Sequence, residues 1–236
     1  MARISKSVLT RLEIIRVASG MFLEKGYSST TIKAISGELG ISTGNLTFYF
    51  PSKEHLLAEL TEMLGTFQWE LMAREADEGM SSLMAFCLEL AAMAAMCEEN
   101  AVAKDFYLAA YTSPMALEII RRNDADRARR VFGPDLPDWR EEHFRTVEVL
   151  VSGIEYATLM TTGNGPPLET RIAGALNNIL QIFQVPEQTR QMKIARVLAM
   201  DYRGIGRRVF RDFLEFTAQT HEQVLEELLL PRRSIS

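Results

Sequence analysis

Apolar residues recur at the helical spacing along nearly the whole chain, and no alternating run bounded by turn signals reads as a strand, so the sequence predicts an all-α protein. Val8, Leu12, Ile15, Ala18 and Phe22 share one face of a first helix, which stops at Lys25-Gly26, a basic last turn before a capping glycine. Thr31 is the candidate N-cap of a short second helix with apolar positions Ile32, Ile35 and Leu39, closed by Gly40. A third short helix follows Ser42 or Thr43. Pro51-Ser52 then resets the chain so that Ser52 caps a long helix starting at Lys53-Glu54. Later breaks are expected at Gly79-Met80-Ser81, Ser113-Pro114, Gly133-Pro134, Gly163 to Pro167 and Pro186. The final stretch, Glu187 to Leu230, contains Gly204 and Gly206 and is expected to bend there.

At 236 residues the chain exceeds a bare DNA-binding module, and two domains are expected, residues 1–52 and 53–230, with a disordered tail at 231–236. A composition of 47% hydrophobic and 24% charged residues is that of an ordinary globular protein. No apolar run approaches the roughly 18 residues needed to span a bilayer, and the first residues lack a signal-peptide core, so a cytoplasmic location is expected. Two cysteines, Cys87 and Cys97, are too few for a disulfide framework or a four-thiolate zinc site. The net charge of −5 argues against a protein that coats nucleic acid, yet it is unevenly spread. Residues 1–56 hold seven Lys or Arg against four acids, a balance of +3 that leaves −8 on the remainder. A basic head on an acidic body suits a protein whose head alone touches phosphate.

The two short helices around Gly40 have too little apolar surface to be stable alone, and make sense as a helix-turn-helix packed on the first helix. The second of them would enter the roughly 12 Å wide major groove. Across residues 8 to 60 the chain resembles the DNA-binding domain of the tetracycline-repressor (TetR/AcrR) family: a first helix ending in Phe22 and Gly26-Tyr27, then Thr30-Thr31-Ile32, then Leu39-Gly40-Ile41-Ser42 through Tyr49-Phe50-Pro51-Ser52-Lys53-Glu54. The resemblance implies that Leu39, Ile41, Leu46 and Phe50 are buried pins for the recognition helix. It implies phosphate contacts from Thr31, Lys33, Tyr49 and Lys53, and base reading by Ser42, Thr43, Gly44, Asn45, Thr47 and Phe48. Asn45 is suited to bidentate pairing with adenine. Thr47 stands where the family often has tyrosine, and Thr43 where it often has a longer side chain, which weakens direct readout and leaves the operator open.

The remainder reads as a regulatory domain. Ten of the twelve methionines lie beyond residue 60, mixed with aromatics, and thioethers suit an adaptable apolar pocket as well as a core. Phe67, Phe86, Tyr107, Tyr111, Tyr156 and Asn177 are the candidate ligand contacts. The segments at about 138–162 and 168–184 carry more apolar surface than one buried face needs, which points to a homodimer seam through Val147, Val151, Ile154, Ile172, Leu176 and Ile179. A two-fold pair of such segments gives a four-helix interface, the arrangement the resemblance implies.

No enzyme is expected. Gly204-Ile205-Gly206 lacks the preceding strand and third glycine of a dinucleotide site. The three histidines lack the glutamate spacing of a di-iron bundle, no nucleophile constellation occurs, and no cofactor is implied. The run Asn123 to Asp126, followed by Arg127, Arg129 and Arg130, reads as a solvated helix end. The expected function is thus a transcription regulator, a repressor released from a palindromic operator by a small apolar or amphipathic effector, with activation still open. An all-α enzyme or a protein-interaction module with a DNA-binding-like head is the alternative.

Overall fold

A computed structural model describes residues 6–75, 81–160 and 164–229, and the tail expected at 231–236 lies outside these. Among the described residues every regular element is helical: α1 (Lys6–Gly20), α2 (Ile32–Glu38), α3 (Thr43–Tyr49), α4 (Lys53–Glu75), α5 (Ser82–Glu99), α6 (Ala101–Thr112), α7 (Pro114–Phe132), α8 (Glu141–Leu159), α9 (Leu168–Ile182), α10 (Glu187–Leu198) and α11 (Tyr202–Leu229). The first helix widens into a π-type turn over Met21–Lys25 and ends at Gly26, whose φ of 96° lies in the region only glycine adopts without strain.

Local caps start the short helices as their sequences suggest. The Thr31 hydroxyl accepts from the Ala34 N–H at 3.1 Å and the Ser42 hydroxyl from the Asn45 N–H at 3.1 Å, each satisfying a donor that has no partner within the helix. Gly40, at φ 65°, makes the turn between α2 and α3. Ser52 pairs with the His55 ring at 2.9 Å as α4 begins.

Helix α5 forms the centre of the body, with twelve of its residues buried and neighbours on all sides: α4, α6, α8, α9, α10 and α11. A helix apolar all round has to be enclosed. Helices α7 and α8 close one side against α4 and α6. The 52/53 boundary read from sequence falls where α4 begins, and α4 runs on from the head into the body.

The expected bend at Gly204 and Gly206 is not found. The break comes earlier, at Ala199–Asp201, and α11 passes through both glycines. Gly206 serves close approach instead: a Cβ there would lie 2.6 Å from the Ala92 carbonyl oxygen of α5.

Candidate nucleic-acid interface and internal cavity

The core of the head is small and well defined. Ile14, Ile15, Ala18 and Phe22 of the first helix meet Ile35, Leu46 and Phe50, all buried. Leu46 and Phe50 therefore anchor α3, whereas Leu39 and Ile41, expected to be buried, are only half-buried at the turn, where two short helices cannot cover them. Anchoring by Leu46 turns the opposite face of α3 outward. Ser42, Thr43, Gly44, Asn45 and Phe48 are exposed, Thr47 and Tyr49 half-buried, and Phe48 shows 79% of its surface to solvent. That phenyl ring meets the Tyr49 ring edge-to-face at 5.3 Å and otherwise presents apolar surface to solvent. Thr43 lies 3.3 Å from the Ser36 hydroxyl and Thr47 donates to the Gly44 carbonyl at 3.2 Å, so both hydroxyls are already oriented. Thr31 and Lys33 are exposed at the start of α2.

Lys53, for which the sequence resemblance implies a phosphate contact, is engaged with the protein's own backbone. Its ammonium donates to the carbonyl oxygens of Tyr27 and Thr30, both at 3.1 Å, and lies 4.0 Å from the centre of the Tyr27 ring. The lysine thus pins the turn between α1 and α2 to the start of α4. A second clamp comes from α6: the Asp105 carboxylate accepts from the Ser28 N–H at 2.8 Å and from the Ser28 hydroxyl. These bonds reach across 26 and 77 residues of sequence respectively, and only folding reveals them.

A cavity, partly open to solvent, lies between α4, α5, α6, α7 and α8. Its apolar wall includes Leu64, Phe86, Leu90, Met93, Phe106 and Ile120. Its polar wall comprises Gln68, Glu89, Tyr107, Asp124, Arg127 and Glu155. Phe86, Tyr107 and Tyr111, singled out by sequence, line this space; Phe67, Tyr156 and Asn177 do not. Phe67 packs against Phe213 and Phe216 of α11. Tyr156 stacks obliquely on Tyr111 with ring centres 6.2 Å apart, and Asn177 accepts from Arg190 at 3.1 Å. A count of aromatic residues finds the dense region of the body but cannot say which face of a helix each occupies.

The polar wall is the main correction to the sequence reading. Asp124 and Arg127, read as a solvated helix end, lie inside the protein. The Arg127 guanidinium donates to Asp124 at 3.1 Å, to Glu89 at 3.2 Å and to the Gly65 carbonyl, with its charge 5.5 Å from the centre of the Trp69 ring. Glu155 accepts from the Tyr111 hydroxyl at 3.0 Å. Beside them on α8, Glu148 is buried to 1% exposure, and its Oε1 has no hydrogen-bond partner among the described residues. Carboxylate oxygens of Asp124, Glu148 and Glu155 all lie within 4.8 Å of one another. Burial pushes the Glu89 carboxyl up to about 7, with Arg127 opposing. Burial and the neighbouring Glu155 push Glu148 up to about 11, and burial with Asp124 raises Glu155 well above its ordinary value. A signal for this cluster did exist: Glu148 and Glu155 interrupt the buried stripe of Phe144, Val151 and Leu159 on α8.

The residues proposed from sequence for a dimer seam are taken up within the protomer. Val151, Ile172, Leu176 and Ile179 are completely buried within the protomer, and Val147 and Ile154 pack half-buried on the same core. The exposed stripe of α8 is instead Thr146, Val149, Leu150, Gly153 and Ala157, beside Thr170, Gly174 and Asn178 on α9. Val149 and Leu150 are 50% and 62% exposed.

The sequence model of the family described as "Bacterial regulatory proteins, tetR family" matches residues 14–60, from α1 into α4. The chain is 37% identical over 78 residues to the HTH-type transcriptional repressor KstR2 of Mycobacterium tuberculosis, a match covering 33% of this chain and 38% of that protein. It is 32% identical over 113 residues to the HTH-type transcriptional regulator HbdR of Aromatoleum sp. (strain CIB), covering 48% of each. The chain therefore spans less than half the length of these curated relatives. Among solved structures, the TetR family protein CprB from S. coelicolor A3(2) aligns with a TM-score of 0.42 at 24% identity, over 80% of this chain and 97% of that one. A gamma-butyrolactone receptor (ArpA like protein) aligns with a TM-score of 0.46 at 21% identity, over 86% and 97%.

Proposed function

Residues 14–60 belong to the tetR family of bacterial regulatory proteins, and from that premise we propose that the whole chain is a ligand-responsive transcription regulator that holds duplex DNA with α3 and releases it when a small molecule fills the cavity. One observation carries the coupling. The turn that connects α1 to the recognition unit is gripped by Lys53 of α4 and by Asp105 of α6, and both helices wall the cavity, through Leu64 and Gln68 on one and Phe106 and Tyr107 on the other. A ligand that separates α4 from α6 pulls the two clamps apart and reorients the head. Weakening operator binding a hundredfold this way requires about 2.7 kcal/mol of ligand preference for the non-binding state.

On this reading Asn45 and Phe48 read bases, and Lys33 and the start of α2 hold phosphate, while Lys53 acts on DNA through the turn it fixes. Two heads reading a palindrome require a dimer. Its seam is the exposed stripe of α8 and α9, where Gly153 and Gly174, with open space around each, let helices approach closely. Repression relieved by the ligand is the direction proposed, in keeping with the repressor named among the relatives.

The test is selection of binding duplexes from a random pool by the full chain, followed by titration at several salt concentrations. Enrichment of a two-fold symmetric sequence with salt-dependent affinity is expected; recovery of random sequence only would reject the reading. Leu150→Glu should yield a folded monomer by light scattering with operator affinity lowered at least tenfold, and a variant that stays dimeric would move the seam elsewhere.

A further inference from the structure

We propose that the molecule this cavity takes is an amphipathic organic cation, its ammonium group seated among Asp124, Glu148 and Glu155 and its apolar body against Phe86, Leu90, Met93 and Phe106; the inference rests on the cavity being the effector site.

The argument begins with charge. Every element around the polar wall contributes: neutral Gln68 from α4, Glu89 from α5, Tyr107 and Tyr111 from α6, Arg121, Asp124 and Arg127 from α7, and Glu148 and Glu155 from α8. Four carboxyl groups thus face two guanidinium groups, a deficit of two positive charges in a site largely withdrawn from water. Uncompensated buried charge is costly, and the empty protein avoids it by holding carboxyls protonated. A cation entering the site removes the need to do so.

Anions fit poorly. Arg127, the guanidinium that lines the cavity, already gives both terminal nitrogens to Glu89, Asp124 and the Gly65 carbonyl. Arg121 gives its Nε to the Ser152 hydroxyl at 3.0 Å. A carboxylate or phosphate ligand would therefore meet acids without gaining a guanidinium. The Oε1 of Glu148, almost fully buried, has no hydrogen-bond partner among the described residues, and once the carboxyl ionises beside a cation an ammonium supplies the donors it lacks. The Tyr107 hydroxyl and Gln68 Nε2, also buried in the cavity wall and close enough to influence each other, have no partner within hydrogen-bond distance among the described residues. They are donors, and call for an oxygen acceptor on the body of the same ligand. A bare metal ion on the same three carboxylates would leave the apolar wall uncovered, which the body of an organic cation would not.

The experiment uses the full-length protein and three probes of one chain length: decylamine, decanol and decanoate, with Mn²⁺ and Mg²⁺ alone as further arms. Isothermal titration at pH 6 and pH 8 should show binding of decylamine, at least tenfold tighter at the higher pH, with heats that depend on the buffer because protons are released. Glu155→Gln and Glu148→Gln should each weaken decylamine at least tenfold and shrink its pH dependence. Decanol binding, if measurable, should be unchanged in both. Tighter binding of decanoate than of decylamine would overturn the cation assignment while leaving the cavity as an effector site. Equal binding of decanol and decylamine, with both variants indifferent, would overturn it in the same way. A response to Mn²⁺ or Mg²⁺ alone, lost in the variants, with none to decylamine, would replace the organic cation by a metal. Failure of every probe to bind a protein that still selects its duplex would remove the effector reading along with this one.

Discussion

At the starts of α2 and α3 and within α3 the hydroxyls of Thr31, Ser42 and Thr47 meet backbone groups of their own helix and lie at or near the surface, whereas on α7 and α8 Arg127 and Glu155 are drawn inward to Glu89 of α5 and Tyr111 of α6, and buried Glu148 keeps one oxygen without a partner among the described residues. The head places its polarity where water or DNA can reach it, so each group contributes a local increment. The body places its polarity where a low dielectric strengthens every attraction and every unmet need. On the proposed reading the head suits a partner that arrives from outside in many contacts, and the body one that arrives alone and rebalances a closed set of charges.

The sharpest break in that comparison is Arg127→Met. Removing the cation leaves Glu89 and Asp124 buried without their partner, and the expected loss of stability at pH 8 is about 3–5 kcal/mol. The sign with pH follows from the raised Glu89 carboxyl. Between its ordinary value and about 7 the folded protein binds more protons than the unfolded chain, so stability falls as pH rises through that window. Without Arg127 the acids rise further, and the variant should lose much less relative to the parent at pH 5 than at pH 8. Urea titrations at the two values check this; an equal loss at both would mean that the buried acids do not respond to Arg127.

Next in size is the head. Asn45→Ala should relax one operator position by roughly 1–3 kcal/mol while leaving thermal stability unchanged, because its side chain is exposed. Duplexes substituted position by position would locate it, and a uniform loss at all positions would mean that Asn45 contacts only backbone. Smallest is Ser42→Ala, which removes the cap of α3 and should cost about 1 kcal/mol of stability, read as a shift of the urea midpoint. A larger effect there than in Arg127→Met would reverse the contrast between head and body.

The same contrast explains what could be read from sequence. Thr31, Ser42, Gly40 and the apolar face of α1 act over three to eight residues, so helix starts, stops and the helix-turn-helix were legible one segment at a time. Lys53 on the Tyr27 and Thr30 carbonyls, Asp105 on Ser28, and Arg127 on Glu89 join distant segments, and nothing local distinguishes these side chains from solvated ones. Ile172, Leu176 and Ile179 were recognisable as buried, but an apolar stripe does not say whether the protomer or a second copy covers it. Their burial within one chain is why the proposed seam uses the neighbouring exposed stripe of α8. Glu148 and Glu155 were the exception, since two acids within a stripe that is otherwise apolar can be seen in sequence once the helix is drawn.

The contact at Gly206 bears on the genetics of the proposed switch. Ala92, whose carbonyl oxygen it touches, lies on α5 between Leu90 and Met93, both in the cavity wall. Any side chain at position 206 must push α5 away from α11, toward the space a ligand needs. If the proposed function holds, a screen for variants that no longer respond to an inducer should recover Gly206→Ala alongside changes at Glu155 and Phe106, although position 206 lies outside both the cavity lining and α3. Two helix backbones pressed this close make the cavity's size a property inherited from a glycine outside it.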